Sequence, residues 1–532
     1  MRILNIKKTA VFIALGIGFS VSCTRLDENL YDIILPEDIT FTDKDAIPIM
    51  APAYAAFRAV YFGWDGMFDA SEDVSDLAVT PYRVGVGWGD YYITLHQHTW
   101  NSTTGPVEAI WSTCYDGVNL ANKAIYDLEK IESLANKDVY VAEMRALRAV
   151  YYYILLDYYR NVPLVTKFDV EQGYLPAQNT AQEIYTFVET ELKAVMDKLD
   201  TKTTDKSYGH MNKWAAKMTL AKLYLNSKVY LGVEKWDDAL AQVNEVIDSK
   251  LFSLAPNYAD PFKDDNSKSV EQIFSIPYTE VTAGGCYYPY KSLHPGSQAT
   301  FKMVAGPWGG GTGMIPQFMD TYDPADKRLN TYLRGPQVDY NGAPIMVEGK
   351  QLNYVNYITS VDDALPEQGY RMVKWEIRIG LNGNQGNDAP LYRYTDALMI
   401  KAECLLRKGQ AAEAAEIVTQ VRQRDFGEAD KAKATVTGAQ LLGGSTYNYG
   451  TYKNGVITKP EGGADIQYGR FLDELAWEFV GEGRRRQDLI RFGVFSTKSW
   501  LSHTPKDAHI NIFPIPFSAM NTNAKLKQNP GY

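Results

Sequence analysis

Apolar side chains at Met144, Leu147, Tyr151, Ile154, Leu155, Tyr158 and Tyr159 recur every three or four positions, which predicts a core α-helix from Glu143 to Arg160. Asn161 and Pro163 end it, because proline donates no amide hydrogen and disfavours helical geometry in the residue before it. A second stripe, Val107, Ile110, Trp111, Tyr115, Val118, Ala121, Ile125 and Leu128, opens at Pro106 and predicts the partner limb of an αα-hairpin. The same period appears in residues 42–62 (Ile47, Ala51, Tyr54, Ala55, Arg58), 180–199, 212–230, 235–249 and 471–492. It also appears in 392–424, where Gly409 separates two limbs. Between 213 and 247, small Ala216, Ala221 and Ala239 alternate with large Leu223, Tyr224, Trp236 and Leu240. That alternation lets two helices approach closely, in the manner of tetratricopeptide repeats, although no strict period is kept.

Two stretches lack the helical period. Residues 63–105 are irregular and crowded with Trp, Tyr, Asp and Gly, the composition of a functional loop region. Residues 251–390 predict a mostly irregular lobe with short β-like pieces at Gln272–Ile276 and Val373–Ile377. Within it, the glycine-rich run 306–313 has no following Lys-Ser/Thr to make a phosphate loop and reads as a flexible loop displaying Trp308. At the other extreme, Arg2, Lys7 and Lys8 precede an apolar run from Val11 to Phe19 that is too short to span a bilayer, the pattern of a secretory leader. Small residues before Cys23 look like a lipobox, so cleavage after Ser22 is expected to leave Cys23 as a lipidated first residue, with 24–40 an extended tether.

Charge and composition narrow the chemistry. With 54 Lys+Arg against 64 Asp+Glu the net charge is -10, which disfavours nucleic acid as a partner. Removal of the leader takes away three further positive charges. Thirty-seven tyrosines against 20 phenylalanines point to a half-wet aromatic surface, since a Tyr ring couples apolar area to a hydroxyl. Cys114, Cys286 and Cys404 are too few and too scattered for a disulfide framework, and no C-x-x-C pair suggests zinc. His96 and His98 would share a strand face but lack a third ligand, and the polar loops 263–269 and 380–388 lack EF-hand spacing, so neither metal nor cofactor is expected. No G-x-S-x-G or H-E-x-x-H motif is present. Arg484–Arg486 read as a structural helix end rather than an anion site.

Four segments carry a family resemblance. Glu143, Arg145, Leu147, Arg148, Ala149 and Tyr151–Tyr153 run into Val162-Pro163-Leu164, and a second helix holds Arg393, Asp396, Ala397 and Glu403. A third segment holds Glu482, Gly483, Arg485, Asp488, Leu489, Arg491 and Gly493, and the chain closes on Phe513–Pro516 and Gln528–Tyr532. Taken in this order they resemble the SusD/RagB family of outer-membrane nutrient-binding lipoproteins. The resemblance implies a mainly α protein, with tetratricopeptide-like helical hairpins forming an α-superhelical scaffold that carries a large loop-rich lobe. The expected segments are 1–22 leader, 23–40 tether, 41–250 N-terminal helical region with a ligand loop at 63–105, 251–390 irregular lobe and 391–532 C-terminal helical region. It further implies a non-catalytic, lipid-anchored protein at the surface of a Bacteroidetes-type outer membrane, capturing oligosaccharide for a SusC-like TonB-dependent transporter. Aromatic candidates for a sugar-binding arc are Trp64, Trp88, Trp100, Tyr287, Tyr288, Tyr290 and Trp308, with Asp73, Asp76, Arg83 and Asn101 as polar partners. Two alternatives stay open. One is a peptide-capturing, RagB-like member. The other is a secreted glycoside hydrolase, which would need Asp73 and Asp76 facing each other across a cleft.

Overall fold

The computed structural model describes residues 41–88, 90–202, 207–280 and 284–532, with Asp90 described by its backbone alone. The leader, Cys23 and the tether lie outside the described residues. The first helix, α1 (Asp43–Phe62), starts where the Asp45 carboxylate accepts from both the backbone N–H and the hydroxyl of Thr42. Pro48 and Pro52 lie inside it on the exposed side, where the carbonyls they leave unbonded face water. Two short helices, α2 (Met67–Glu72) and α3 (Asp90–His96), punctuate the region expected to be loop, with strand β1 (Ala78–Val79) between them.

α4 (Gly105–Lys130) and α5 (Lys137–Tyr159) form the predicted hairpin, and α1 packs across α4. From Ala142 onward every α5 side chain but one is buried, so this helix is core on all sides. Its tyrosine hydroxyls therefore donate inward: Tyr151 to the Ala53 carbonyl at 2.6 Å and Tyr159 to the Val107 carbonyl at 2.6 Å. Close approach of α4 depends on Gly117, where an added Cβ would lie 2.2 Å from the Tyr151 ring. α6 (Ala181–Val195), α7 (Lys213–Leu225), α8 (Ser227–Leu231) and α9 (Trp236–Asp248) continue the helical layer.

The loop-rich lobe is tied back by two antiparallel pairings. β2 (Gln272–Ile276) matches its predicted bounds and pairs with β4 (Ala389–Arg393), while β1 pairs with β3 (Gly313–Met314) in the register Ala78 opposite Met314. The lobe also holds the short helix α10 (Tyr288–Ser292). Residues 373–377, expected to be β-like, are not a strand; pairing stops at Met372, and Trp375 turns into the core to donate its indole N–H to the Gly481 carbonyl at 3.0 Å. α11 (Tyr394–Arg407) and α12 (Ala411–Gln423) form the second predicted hairpin about Gly409, whose φ of 83° is the left-handed turn glycine allows.

The helix expected over 471–492 is two, α13 (Gly469–Phe479) and α14 (Arg485–Arg491). Gly481 and Gly483, at φ of 73° and 66°, turn the chain between them, and the buried Glu72 carboxylate accepts from both their N–H groups. Arg484–Arg486 consequently open the second helix rather than close the first, and each is buried on a carboxylate: Arg484 on Asp396 and Asp488, Arg485 on Asp76, Arg486 on Asp157. Arg393 meets Glu271, Glu478 and Glu482, and Arg491 meets Glu403 and Asp488. Among the charged residues that carry the family resemblance, Arg393, Asp396, Glu403, Glu482, Asp488 and Arg491 are thus members of internal ion pairs around α11, α13 and α14.

One apolar core extends from Ala46 on α1 to Leu526 near the end of the chain. The final residues complete it. Asn529 donates to the Tyr159 carbonyl at 3.0 Å and the Phe513 carbonyl at 2.7 Å, and Tyr532 accepts the Trp100 indole N–H at 2.7 Å. Cys114, Cys286 and Cys404 are free and buried.

Candidate functional site: a surface aromatic cluster

Five of the seven aromatic candidates converge. Trp64, on the turn after α1, lies 5.3 Å from Tyr287, 5.9 Å from Trp308 and 6.3 Å from Trp88 by ring centroids. Tyr290 lies 5.7 Å from Trp308, and the Tyr287 and Trp308 rings run nearly parallel, 21° apart. Trp64 remains 50% exposed and Trp308 45%, although each touches at least three other rings. Large indoles left half open while surrounded by aromatic neighbours form a surface that core packing does not require.

The rings come from four separate segments, each held by different chemistry. Tyr287 and Tyr290 flank and lie on α10, and the Trp308 N–H donates to the Tyr290 carbonyl at 2.7 Å. Trp88 has a left-handed φ of 64°, and its ring sits where a Cβ on Gly311 would be 3.0 Å away, so that glycine is what lets the indole lie on the backbone. The run 306–313 displays Trp308 as expected, but it is pinned rather than free. The Gly311 N–H donates to the Lys291 carbonyl at 2.6 Å, and the Gly311 carbonyl accepts from Arg83 Nε at 2.9 Å and Nη2 at 2.8 Å.

Tyr287 and Tyr290 are themselves buried and back the indoles rather than face solvent, and of the remaining candidates all but Asn101 are buried too. Arg83 is fully buried and spends its donors on the carbonyls of Gly311, Leu365 and Gln368. Burial, together with neighbouring Arg371, depresses its pKa well below the usual arginine value. Asp73 accepts from Lys291 Nζ at 2.9 Å and from the Thr80 hydroxyl at 2.6 Å; burial and the nearby Asp69 charge raise its pKa against the pull of Lys291. Asp76 takes a two-pronged ion pair from Arg485, Nε at 2.7 Å and Nη2 at 2.8 Å. Neither carboxylate faces a cleft, so the acid pair a glycoside hydrolase would need is absent from these positions. Trp100 is only 4% exposed and packs against His98, Phe495 and Phe513; Tyr288 packs edge-on against Phe68 in the core. Asn101 is exposed but accepts from the Thr103 N–H and hydroxyl, shaping the turn before α4.

His96 and His98 do not share a strand: His96 ends α3 and His98 sits at a left-handed turn. Both are buried, which pushes their pKa values down to about 3, and the His98 ring lies 4.0 Å from that of His503. Among the described residues no group of three or more His, Cys, Asp or Glu is placed to hold a metal ion. The two polar loops are joined directly: Asn266 donates to the Asp388 carbonyl at 2.8 Å and accepts its N–H at 3.0 Å. Sequence reasoning missed Asp69, Tyr92 and Lys291, which lie beneath the aromatic cluster; a buried lysine leaves no signal in a stretch as irregular as 284–297.

The helical hairpins thus carry a loop-borne aromatic cluster seated on buried charge. Two family models match the chain: the SusD family over residues 309–532, and "Starch-binding associating with outer membrane" over 76–225. The chain belongs to the SusD/RagB family. It is 26% identical over 454 residues to the starch-binding protein SusD of Bacteroides thetaiotaomicron, covering 74% of this chain and 72% of that one. To the SusD-like protein P25 of Formosa agariphila it is 23% identical over 498 residues, covering 88% and 83%. Its fold matches a laminarin-binding SusD-like protein with a TM-score of 0.70 at 22% identity, over 92% of this chain and 100% of that one. It also matches the surface glycan-binding protein A of Bacteroides thetaiotaomicron in complex with laminarihexaose, with a TM-score of 0.69 at 21% identity over 92% and 100%. Among the described residues no helix is long and apolar enough to cross a membrane.

Proposed function

We propose that the protein is a non-catalytic, cell-surface glycan-binding lipoprotein, anchored through Cys23, that captures oligosaccharide and delivers it to a SusC-like TonB-dependent transporter. The observation that carries this is the pair of half-exposed indoles, Trp64 and Trp308, backed by partly buried Trp88 and by buried Tyr287 and Tyr290. Indole faces accept the apolar C–H face of a pyranose ring, and the two half-exposed indoles, 5.9 Å apart by ring centroids, suit neighbouring sugars of one chain. The starch- and laminarin-binding relatives support a glucan among the first ligands to try. The leader sequence and a family described as associating with the outer membrane support the location.

Affinity electrophoresis and calorimetry of residues 24–532 against starch, laminarin and a panel of plant, host and microbial glycans test the capture step. Trp64→Ala and Trp308→Ala are each expected to weaken binding about tenfold, from loss of roughly half an indole's contact area. Wild-type affinity in the double variant, or no glycan bound by the wild type, sinks the proposal and turns attention to peptides. Co-purification of a TonB-dependent barrel with the tagged protein, from the outer membranes of its own cell, tests delivery.

A further inference from the structure

The side chain of Lys291 is 1% exposed and lies under the aromatic face, with Nζ 2.6 Å from Asp69 Oδ1 and 2.9 Å from Asp73 Oδ2. It is reached from every ring of the cluster except Trp64 through at most one intervening group. Tyr287 donates its hydroxyl to the other Asp69 oxygen at 2.9 Å. The Lys291 ammonium lies 4.1 Å from the centre of the Tyr92 ring, whose edge meets Trp88 at 6.1 Å. Tyr290 precedes Lys291 on the same helical turn and its carbonyl holds the Trp308 N–H, while the Lys291 carbonyl holds Gly311. Beyond Asp73, the Thr80 hydroxyl lies 2.7 Å from that of Thr312 at the end of the Trp308 loop.

Neither fold nor solubility calls for this arrangement. A buried ammonium and two carboxylates carry a desolvation cost of several kcal/mol per ion, and apolar residues of like volume commonly stabilise as well or better. Burial works to depress the lysine pKa, yet Asp69 and Asp73 hold it above its ordinary value, so the charge persists. Such a centre gives direction, which apolar packing does not: two ammonium hydrogen bonds, to Asp69 and Asp73, fix α10 in rotation and depth against α2. The rings on and beside α10 take their spacing from that fixation.

We infer that Lys291 is the positioning residue of the aromatic face: it sets the relative placement of Trp88, Tyr287, Tyr290 and Trp308 without itself touching ligand. The inference rests on the glycan-capture reading for its functional consequence, but not for its geometry, so the two fail separately. In the full mature chain, Lys291→Met keeps length and removes the charge. With 5-fluorotryptophan incorporated, its 19F spectrum is expected to shift the Trp88 and Trp308 signals, assigned by single Trp→Phe replacements, and to leave those of core Trp375 and Trp500 in place. Affinity for the best-bound glycan, normalised to folded protein, is expected to fall at least tenfold. Unmoved Trp88 and Trp308 signals overturn the inference, whether or not a glycan is bound. Shifted signals with unchanged affinity, where Trp308→Ala weakens binding, overturn it as well. If Lys291→Met does not fold, Asp73→Asn, which leaves Asp69 to neutralise the lysine, is read in the same two ways.

Discussion

Asp76 decides between a chemical and an architectural use of the acids in the 63–105 region. Its carboxylate is fully buried, takes two hydrogen bonds from Arg485, and accepts the Tyr449 hydroxyl at 2.7 Å. Asp76→Asn keeps shape but leaves the Arg485 guanidinium without its counter-charge in a site with no water access. Breaking a buried pair from one side costs about 3–5 kcal/mol, because the remaining ion is still desolvated. Removing both charges returns most of it, so Asp76→Asn/Arg485→Met is expected to lie within about 1–2 kcal/mol of wild type. Equilibrium urea unfolding, followed by far-UV circular dichroism, gives the differences as midpoint shifts at constant slope. Glycan affinity of the folded single variant is expected to match wild type. A single variant that loses under about 1 kcal/mol, or a double variant no more stable than the single, would refute the pairing argument. Lost affinity in a fully folded variant would return Asp76 to the ligand.

Three further outcomes follow from buried groups. Trp100→Phe, which removes the bond to Tyr532 and part of a ring packed against His98, Phe495 and Phe513, is expected to cost about 2–3 kcal/mol in the same unfolding assay and leave glycan binding intact; weakened binding would contradict its core placement. His96 is neutral in the fold, with a pKa near 3 against 6.5 for the free side chain, and neither ring nitrogen has a partner. The unfolded chain therefore binds the extra proton between those values, and wild type loses stability as pH falls through that window. Relative to wild type, His96→Phe should gain about 1.4 kcal/mol per pH unit below 6.5, and a flat difference between pH 6.5 and 4.5 would refute this. Gly117→Ala drives a methyl into the Tyr151 ring and is expected to cost about 1–3 kcal/mol, measured as a lowered unfolding midpoint; an unchanged midpoint would show that α4 and α5 separate freely.

The helices were legible where burial on one face imprints a period on the sequence, as on α4 and α12, and Gly409 marks a turn no other residue takes as readily. The break between α13 and α14 was not, since it depends on Glu72, some four hundred positions away, accepting the N–H groups of Gly481 and Gly483. The aromatic face was legible in composition but not in membership. Trp100 and Trp308 stand in equally irregular stretches, and only the tertiary fold turns one toward Phe513 and the other toward solvent. Acidic residues misled for a related reason: a string such as Asp73 and Asp76 looks like a solvated or reactive loop until Lys291 and Arg485 are brought to it from distant parts of the chain.

The bonds made by Asn529 and Tyr532 have a bearing on how the molecule folds. They join segments 370 and 432 positions apart, so the end of α5 and the turn before α4 gain these partners only after a long stretch of chain has been ordered. Loop closure on that scale costs conformational entropy before any contact repays it. A hairpin begun by local contacts is thus completed by its most distant ones, and concerted locking late in folding is the expected course.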